Sequence, residues 1–219
     1  MQAVVHGGGL TAGAFVKEEL VGFVFGINVL DNGESGLHSH MLGVLPEFRG
    51  MGIGQDLKWF QREWCLIHGI NWVSWTFDPM QARNAKLNFE HLGAYGYEYL
   101  PNFYGNLGGK LNAGLPTDRL MVRWDLRSDE VSKLASGEAR SQPFRDLVSV
   151  AEVSSKKLDL DTDWVRISIP DDIGSLKSND LDKARFHQKE IRCVMEEYMS
   201  RGYTPRRFLE GCYCLEKAI

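Results

Sequence analysis

With 219 residues, 43% of them apolar and six of them tryptophan, the chain can bury the core of one large domain, or of one domain with a smaller appendage. Its formal charge of −4 argues against a nucleic-acid binder that works through a broad basic face, and leaves room for a local basic pocket that takes an anionic ligand.

The first residues, "MQAVVHGGGL", lack the basic start and apolar stretch of a secretory signal, and no apolar run in the chain reaches the ~18 residues of a membrane span. These features predict a cytoplasmic protein with no membrane partner. "TAGAFVKEELVGFVFGINVL" predicts two strands, 11–16 and 20–30, joined by a charged turn at Lys17-Glu18-Glu19. The polar "DNGESG" at 31–36 predicts a loop, and 37–45 a third strand ended by Pro46. In the helix that follows, Ile53, Leu57, Phe60, Trp64 and Ile67 make one apolar stripe, with Gln55, Asp56, Lys58, Gln61, Arg62 and Glu63 facing away and Gly69 as the stop. "INWVSWTFD" is apolar on both faces, as a covered strand is. Pro79 suits the first turn of a second helix, with Ala82, Ala85, Phe89 and Leu92 buried and Gly93 at its end. "YEYLPNFY" and "RLMVRWDL" predict two more strands.

From Arg127 to about Asp161 the composition shifts to Ser, Lys, Glu and Asp, which reads as a linker or irregular excursion. "DWVRISIP" then predicts a strand, 179–201 a helix capped by Asn179 and stopped by Gly202, and "FLEGCYCLEKA" a hairpin turning at Glu210-Gly211. The fold class is mixed α/β, with a C-terminal βαββ addition. The expected divisions are 1–126, 127–161 and 162–219. Cys65, Cys193, Cys212 and Cys214 form neither a CxxC nor a zinc-ligand spacing and read as reduced thiols.

The chemistry concentrates in "LHSHMLGVLPEFRGMGIGQDLKWF", residues 37–60. A Walker A loop requires GxxxxGK followed by Ser or Thr, and no such string occurs. A dinucleotide fingerprint requires GxGxxG. Gly50 and Gly52 fit it, but Gln55 stands where the third glycine belongs, although Asp78 ends the next strand where a ribose-binding acid would sit. The string R-x-x-G-x-G is filled throughout by Arg49, Gly50, Met51, Gly52, Ile53 and Gly54. It lies between an apolar strand and an amphipathic helix, where glycines let a diphosphate reach the unpaired N–H groups of a helix N-terminus. A tight turn that binds nothing is the other reading of the same string. His38 and His40, two apart on a strand, project from one face. Histidine accepts protons near neutral pH, so the pair is a candidate base, or else two ordinary strand histidines. With no third ligand nearby, a metal site is not expected.

Over about residues 11–126 the sequence resembles the GNAT-type N-acyltransferases, from "HSHMLGVL" through the glycine loop to "QARNAKLNFEHLG". The resemblance implies a mostly antiparallel GNAT-like sheet flanked by helices, and acetyl-CoA or another short acyl-CoA as co-substrate. It implies a pyrophosphate on the backbone of residues 50–54, a pantetheine arm paired with Leu42 and Val44, and a splay between this strand and "INWVSWTFD". It gives His38 and His40 the role of base or proton relay, as in aralkylamine acetyltransferases, with a small amine or amino acid as acceptor. Two departures stand out. Phe89 occupies the position of the tyrosine that protonates the leaving thiolate, so that Tyr104, or Tyr95 or Tyr97, would have to reach in. Ala82 displaces the family's asparagine, for which Asn84 would substitute as a cofactor contact. Arg83 and Lys86 read as a solvated helix face, and Arg123 would meet a carboxylate if the acyl group were succinyl. Only about ten residues precede the first matched strand, where the family has a further strand and helices. Helix 179–201, or a second subunit in a homodimer, is therefore expected to cover the exposed edge. A non-catalytic acyl-CoA sensor on the same scaffold and a structural protein that binds no nucleotide are the alternative readings.

Overall fold

Alternating apolar residues make the first three strands one meander. In the computed structural model, which describes residues 2–105, 114–138, 150 and 152–218, a short helix α1 (Gln2–His6) precedes β1 (Leu10–Val16), β2 (Glu19–Asp31) and β3 (Glu34–Val44). The predicted loop at 31–36 is smaller than expected. Its turn is Asn32-Gly33 alone, with φ of 48° and 84°, the two-residue reversal that matches strand twist. A single 3-10 turn, Pro46–Phe48, leads to α2 (Ile53–Ile67) and β4 (Trp72–Phe77). Next come α3 (Ala82–Ala85), running on as a π turn over Lys86–His91, then β5 (Tyr95–Leu100), β6 (Arg119–Asp125) and α4 (Asp129–Ala135). The C-terminal part is β7 (Trp164–Ser168), α5 (Ile173–Asn179), α6 (Leu181–Ser200), β8 (Tyr203–Leu209) and β9 (Cys212–Lys217). One sheet has the order β1-β2-β3-β4-β6-β5, and a second has β7-β9-β8. Among the described residues no helix is long and apolar enough to cross a membrane.

The chain gathers into two compact units, 1–75 with 123–139, and 76–122 with 140–219. In the first unit α2 packs on β1, β2 and β3. Its buried face shares only Leu57 with the predicted stripe, of which Ile53 and Trp64 are half-buried. Leu57, Lys58, Gln61 and Cys65 are inside, while Phe60 is 49% and Ile67 82% exposed. Leu37, Val73, Trp75 and Trp124 complete this core. Gly36 is required by packing, since a Cβ there would lie 2.2 Å from the buried Trp72 ring. The expected excursion contains α4, begun where Ser128 Oγ accepts from the Val131 N–H at 3.3 Å; residues 139–149 and 151 of that excursion lie outside the described residues.

In the second unit the C-terminal sheet closes over the π turn. Tyr213, fully buried, donates its hydroxyl to the Pro79 carbonyl at 2.6 Å, and Phe89 packs between Phe77 and Tyr213. Arg207 grips Glu90 through two hydrogen bonds of 2.8 and 2.7 Å. Helix α6 packs on β5 and β8. Its cap is Asp180, whose carboxylate accepts from the Lys183 N–H at 2.9 Å, and not Asn179, which ends α5. The closing hairpin turns at Glu210-Gly211 as expected, with φ of 47° and 74°.

Candidate acyl-CoA site

The gap between β3 and β4 follows from register. The two strands run parallel and pair only at Leu37 with Val73 and His38 with Ser74; β3 then continues to Val44 without β4. Against β2, the register slips by one between Phe25 and Gly26, which leaves His40 as an extra, bulged residue. Bulges re-aim side chains and favour the neighbourhood of active sites. Beyond the bulge, Leu45 donates its N–H to Val21 O at 2.9 Å. The alternate pair Phe23 and Gly43 therefore also exchanges hydrogen bonds, and Leu42 and Val44 turn their N–H and C=O to the opposite edge, toward the gap. The Val44 C=O accepts from Arg49, so the Leu42 N–H and C=O and the Val44 N–H are the polar groups an extended ligand arm would meet.

The glycine loop closes the end of this gap. Gly50 and Gly52 adopt φ of 82° and 86°, which side-chain-bearing residues rarely tolerate. Gly54 has ordinary helical surroundings, with Leu42 and Val44 at 3.8 Å from where a Cβ would stand. Gly52 is the N-cap of α2 and brings no side-chain cap, so first-turn N–H groups and the positive dipole end are left for an anion. Met51 is 67% exposed and Ile53 half-buried. Arg49 has a structural use: its Nε donates to the Val44 carbonyl at 3.1 Å and ties the loop to the strand end.

On one face of the sheet the rings of His38 and His40 stand 6.2 Å apart, centroid to centroid. His40 is exposed, with its ring edge-on to Phe25. His38 is half-buried, and its Nδ1 lies 3.3 Å from the Ser74 hydroxyl. Burial, then His40, then Lys58 lower its pKa from the usual 6.5. It is thereby biased to the neutral form that can accept a proton. On the other face lies a group that sequence reasoning assigned to solvent. The Lys58 ammonium is buried against the Trp75 ring, 3.5 Å from its centroid, and donates to Ser39 Oγ at 3.1 Å and Gln61 Oε1 at 2.9 Å. Among the described residues it has no carboxylate partner, and burial pulls its pKa down to about 7. The same burial pushes the Cys65 thiol up to about 12.

Arg123, the candidate for a second carboxylate, is engaged elsewhere. It stacks on Trp72 and binds Asp125 at 2.9 Å, with Asp31 at 3.8 Å. In the second unit, Asn84 is exposed on α3, and Phe89 is fully enclosed. Asn88, which the sequence did not single out, is buried with its amide nitrogen unpartnered. Tyr104 is 43% exposed in the turn after β5, its N–H held by Thr117 Oγ at 2.9 Å and its ring under the Arg119 guanidinium. No group of three or more His, Cys, Asp or Glu among the described residues could hold a metal.

The site is thus a forked sheet with a glycine-turned helix start at its open end. Residues 3–93 match the model of the acetyltransferase (GNAT) family. Among solved structures, the chain is similar to Arabidopsis thaliana Naa50 bound to a bisubstrate analogue, with 21% identity, TM-score 0.44, and coverage of 52% of this chain and 70% of that one. It is similar to an IAA acetyltransferase from Bacillus cereus at 14% identity and TM-score 0.48, covering 56% and 81%. It is also similar to the ribosomal-protein-S18-alanine N-acetyltransferase of Escherichia coli at 17% identity and TM-score 0.46, covering 55% and 70%. These likenesses concern the fold and leave the acceptor open. No curated protein sequence matches the chain.

Proposed function

We propose that the protein moves an acetyl or other short acyl group from coenzyme A to the amine of a small molecule or amino acid by direct attack. The observation that carries this reading is the uncapped start of α2 at Gly52, set beside the stretch of β3 at Leu42 and Val44 that does not pair with β4. The pyrophosphate sits on the amides of residues 50–54, and the pantetheine arm runs along β3. His38, with His40 as relay, takes a proton from the ammonium. The freed amine attacks the thioester carbon, the C–N bond forms as C–S breaks, and the second proton that the nitrogen sheds replaces the one given to the departing thiolate by a donor for which Tyr104 is the candidate. A backbone N–H near Val44 polarises the thioester oxygen. Asn84 serves as a further cofactor contact. The four free cysteines suit a reducing, cytoplasmic setting.

Gly52→Glu places a carboxylate where the diphosphate lies. Because Gly52 has φ of 86°, Gly52→Ala is the control that carries the same backbone strain without the charge. Calorimetry with acetyl-CoA is expected to give a dissociation constant on the order of micromolar for the wild type, weaker binding for Gly52→Ala, and none for Gly52→Glu. Equal binding by all three would reject the site.

The enclosed Phe89, which has no proton to give, favours a second reading, a non-catalytic acyl-CoA sensor. Thiol release from acetyl-CoA over a panel of alkylamines, arylalkylamines, amino acids and short peptides separates the two. Binding without turnover selects the sensor.

The reading extends to assembly. β1 is the terminal strand of its sheet, with Phe15 63% and Leu20 51% exposed, and pairing with a second copy would cover that edge. Light scattering is expected to give a dimer mass that falls to the monomer in Phe15→Lys; a wild-type monomer at working concentration would remove the dimer.

A further inference from the structure

Ser74 stands at the last rung before β3 and β4 part, paired with His38 in register and 5% exposed. Its hydroxyl is the polar partner at one nitrogen of the His38 ring, at 3.3 Å from Nδ1. The two ring nitrogens are not equivalent in catalysis. A neutral imidazole carries one N–H and one lone pair, and the partner of the first nitrogen decides which of the two the second presents. In water the Nε2–H tautomer is the commoner form of free histidine, and that form would offer no lone pair at Nε2.

We propose that Ser74 is a positioning residue for the His38 base: its hydroxyl oxygen accepts from Nδ1–H, holding the Nε2 lone pair free for the proton of the incoming ammonium. This rests on the reading of His38 as base. The step balances simply. The ammonium loses one proton to Nε2, the imidazolium that results still donates Nδ1–H to the same Ser74 oxygen, and no further reactant is required. The hydroxyl hydrogen of Ser74 rotates away from the ring, as a serine rotor allows.

The environment makes the contact matter. His38 receives unfavourable charge from His40 on its own strand and Lys58 from α2, while β4 brings the neutral Ser74 and β2 brings Ile27 as register partner. No carboxylate among the causes of its lowered pKa holds the imidazolium, so the serine oxygen is the hydrogen-bonding group that favours it. Loss of that oxygen removes stabilisation from both the Nδ1–H tautomer and the cation, and the pKa of His38 falls further.

Two readouts test this on the full chain. Nitrogen-15 spectra of histidine-labelled protein report tautomers without any substrate. The expected result is Nδ1–H at His38 in the wild type, Nε2–H in Ser74→Ala, and recovery in Ser74→Thr, which keeps the hydroxyl. Kinetics with acetyl-CoA and the panel amine turned over fastest are expected to show kcat down ~10-fold in Ser74→Ala, as loss of one hydrogen bond implies. The acid limb of kcat should move to lower pH, with KM for acetyl-CoA unchanged. An unaltered His38 tautomer in Ser74→Ala overturns the positioning role and leaves the base untouched. A tautomer that switches while both Ser74→Ala and His38→Ala keep the wild-type rate overturns the base, and the positioning role with it.

Discussion

Lys58→Met is expected to remove a rise in stability that the wild type shows as pH increases from about 7. The Lys58 amine, ordinarily at 10.5, is brought down to about 7 inside the first unit by burial, which Cys65 offsets only in part. Between those values the unfolded chain binds a proton at this site and the native protein does not. Stability therefore climbs with pH across that window, and below it both states hold the proton and the contribution is at its lowest. Each pH unit is worth ~1.4 kcal/mol while only the unfolded form is protonated. Urea midpoints at pH 7, 8, 9 and 10 should rise for the wild type relative to Lys58→Met. Parallel curves for the two proteins would show that the amine is not buried as described. Methionine fills the same volume against Trp75 and leaves Ser39 and Gln61 without their donor, so the difference between curves, and not their absolute height, is the measure. The substitution also removes a charge that lowers the His38 pKa, which should return toward 6.5.

That lysine marks the boundary of what the sequence discloses. Helical periodicity placed α2 behind the glycine loop, because apolar residues recur along it and Gly69 follows its end. Periodicity could not say which arc of the helix the sheet covers. Hydropathy favoured the arc of Phe60 and Ile67; the sheet took the neighbouring arc, where Ser39 and Gln61 satisfy an ammonium and Trp75 offers its face. The glycine loop was legible for a physical reason, since positive φ leaves a glycine in the sequence. The same logic shows at Asn32-Gly33, an evident two-residue turn that polar neighbours disguised as a longer loop. By contrast the bulge at His40 and the two-rung pairing of β3 with β4 are matters of register between distant segments. No local pattern encodes them, so the splay came from family resemblance alone. The π turn at Lys86–His91 is similar: Asn88 within it is buried beside Phe89, whereas the family resemblance had pointed to Asn84.

Asp118→Ala is expected to cost the second unit about 3–5 kcal/mol, the range for stripping one partner from a buried ion pair. Asp118 is almost fully enclosed, and four donors converge on it. Arg192 from α6 reaches it through Nε at 2.9 Å and Nη2 at 2.6 Å, the Tyr99 hydroxyl donates at 2.7 Å, and the Asn102 N–H donates at 3.0 Å. One carboxylate thus joins β5, β6, α6 and the turn that carries Tyr104. Burial, followed by the neighbouring Asp118 charge, raises the Tyr99 pKa, so this phenol donates throughout the accessible pH range. Truncation leaves the enclosed phenol without an acceptor and the guanidinium, 31% exposed, with solvent alone to pair it. Urea melts should show the loss as a lower midpoint at unchanged slope. Replacing the cation as well, in Asp118→Ala with Arg192→Leu, should recover part of the loss, because an unpaired guanidinium costs more than the missing attraction. Recovery cannot be complete while Tyr99 and Asn102 still lack an acceptor. A single substitution costing under ~1 kcal/mol, the scale of an exposed pair, would mean that Asp118 is solvated in solution. The turn bearing Tyr104 would then lose its anchor.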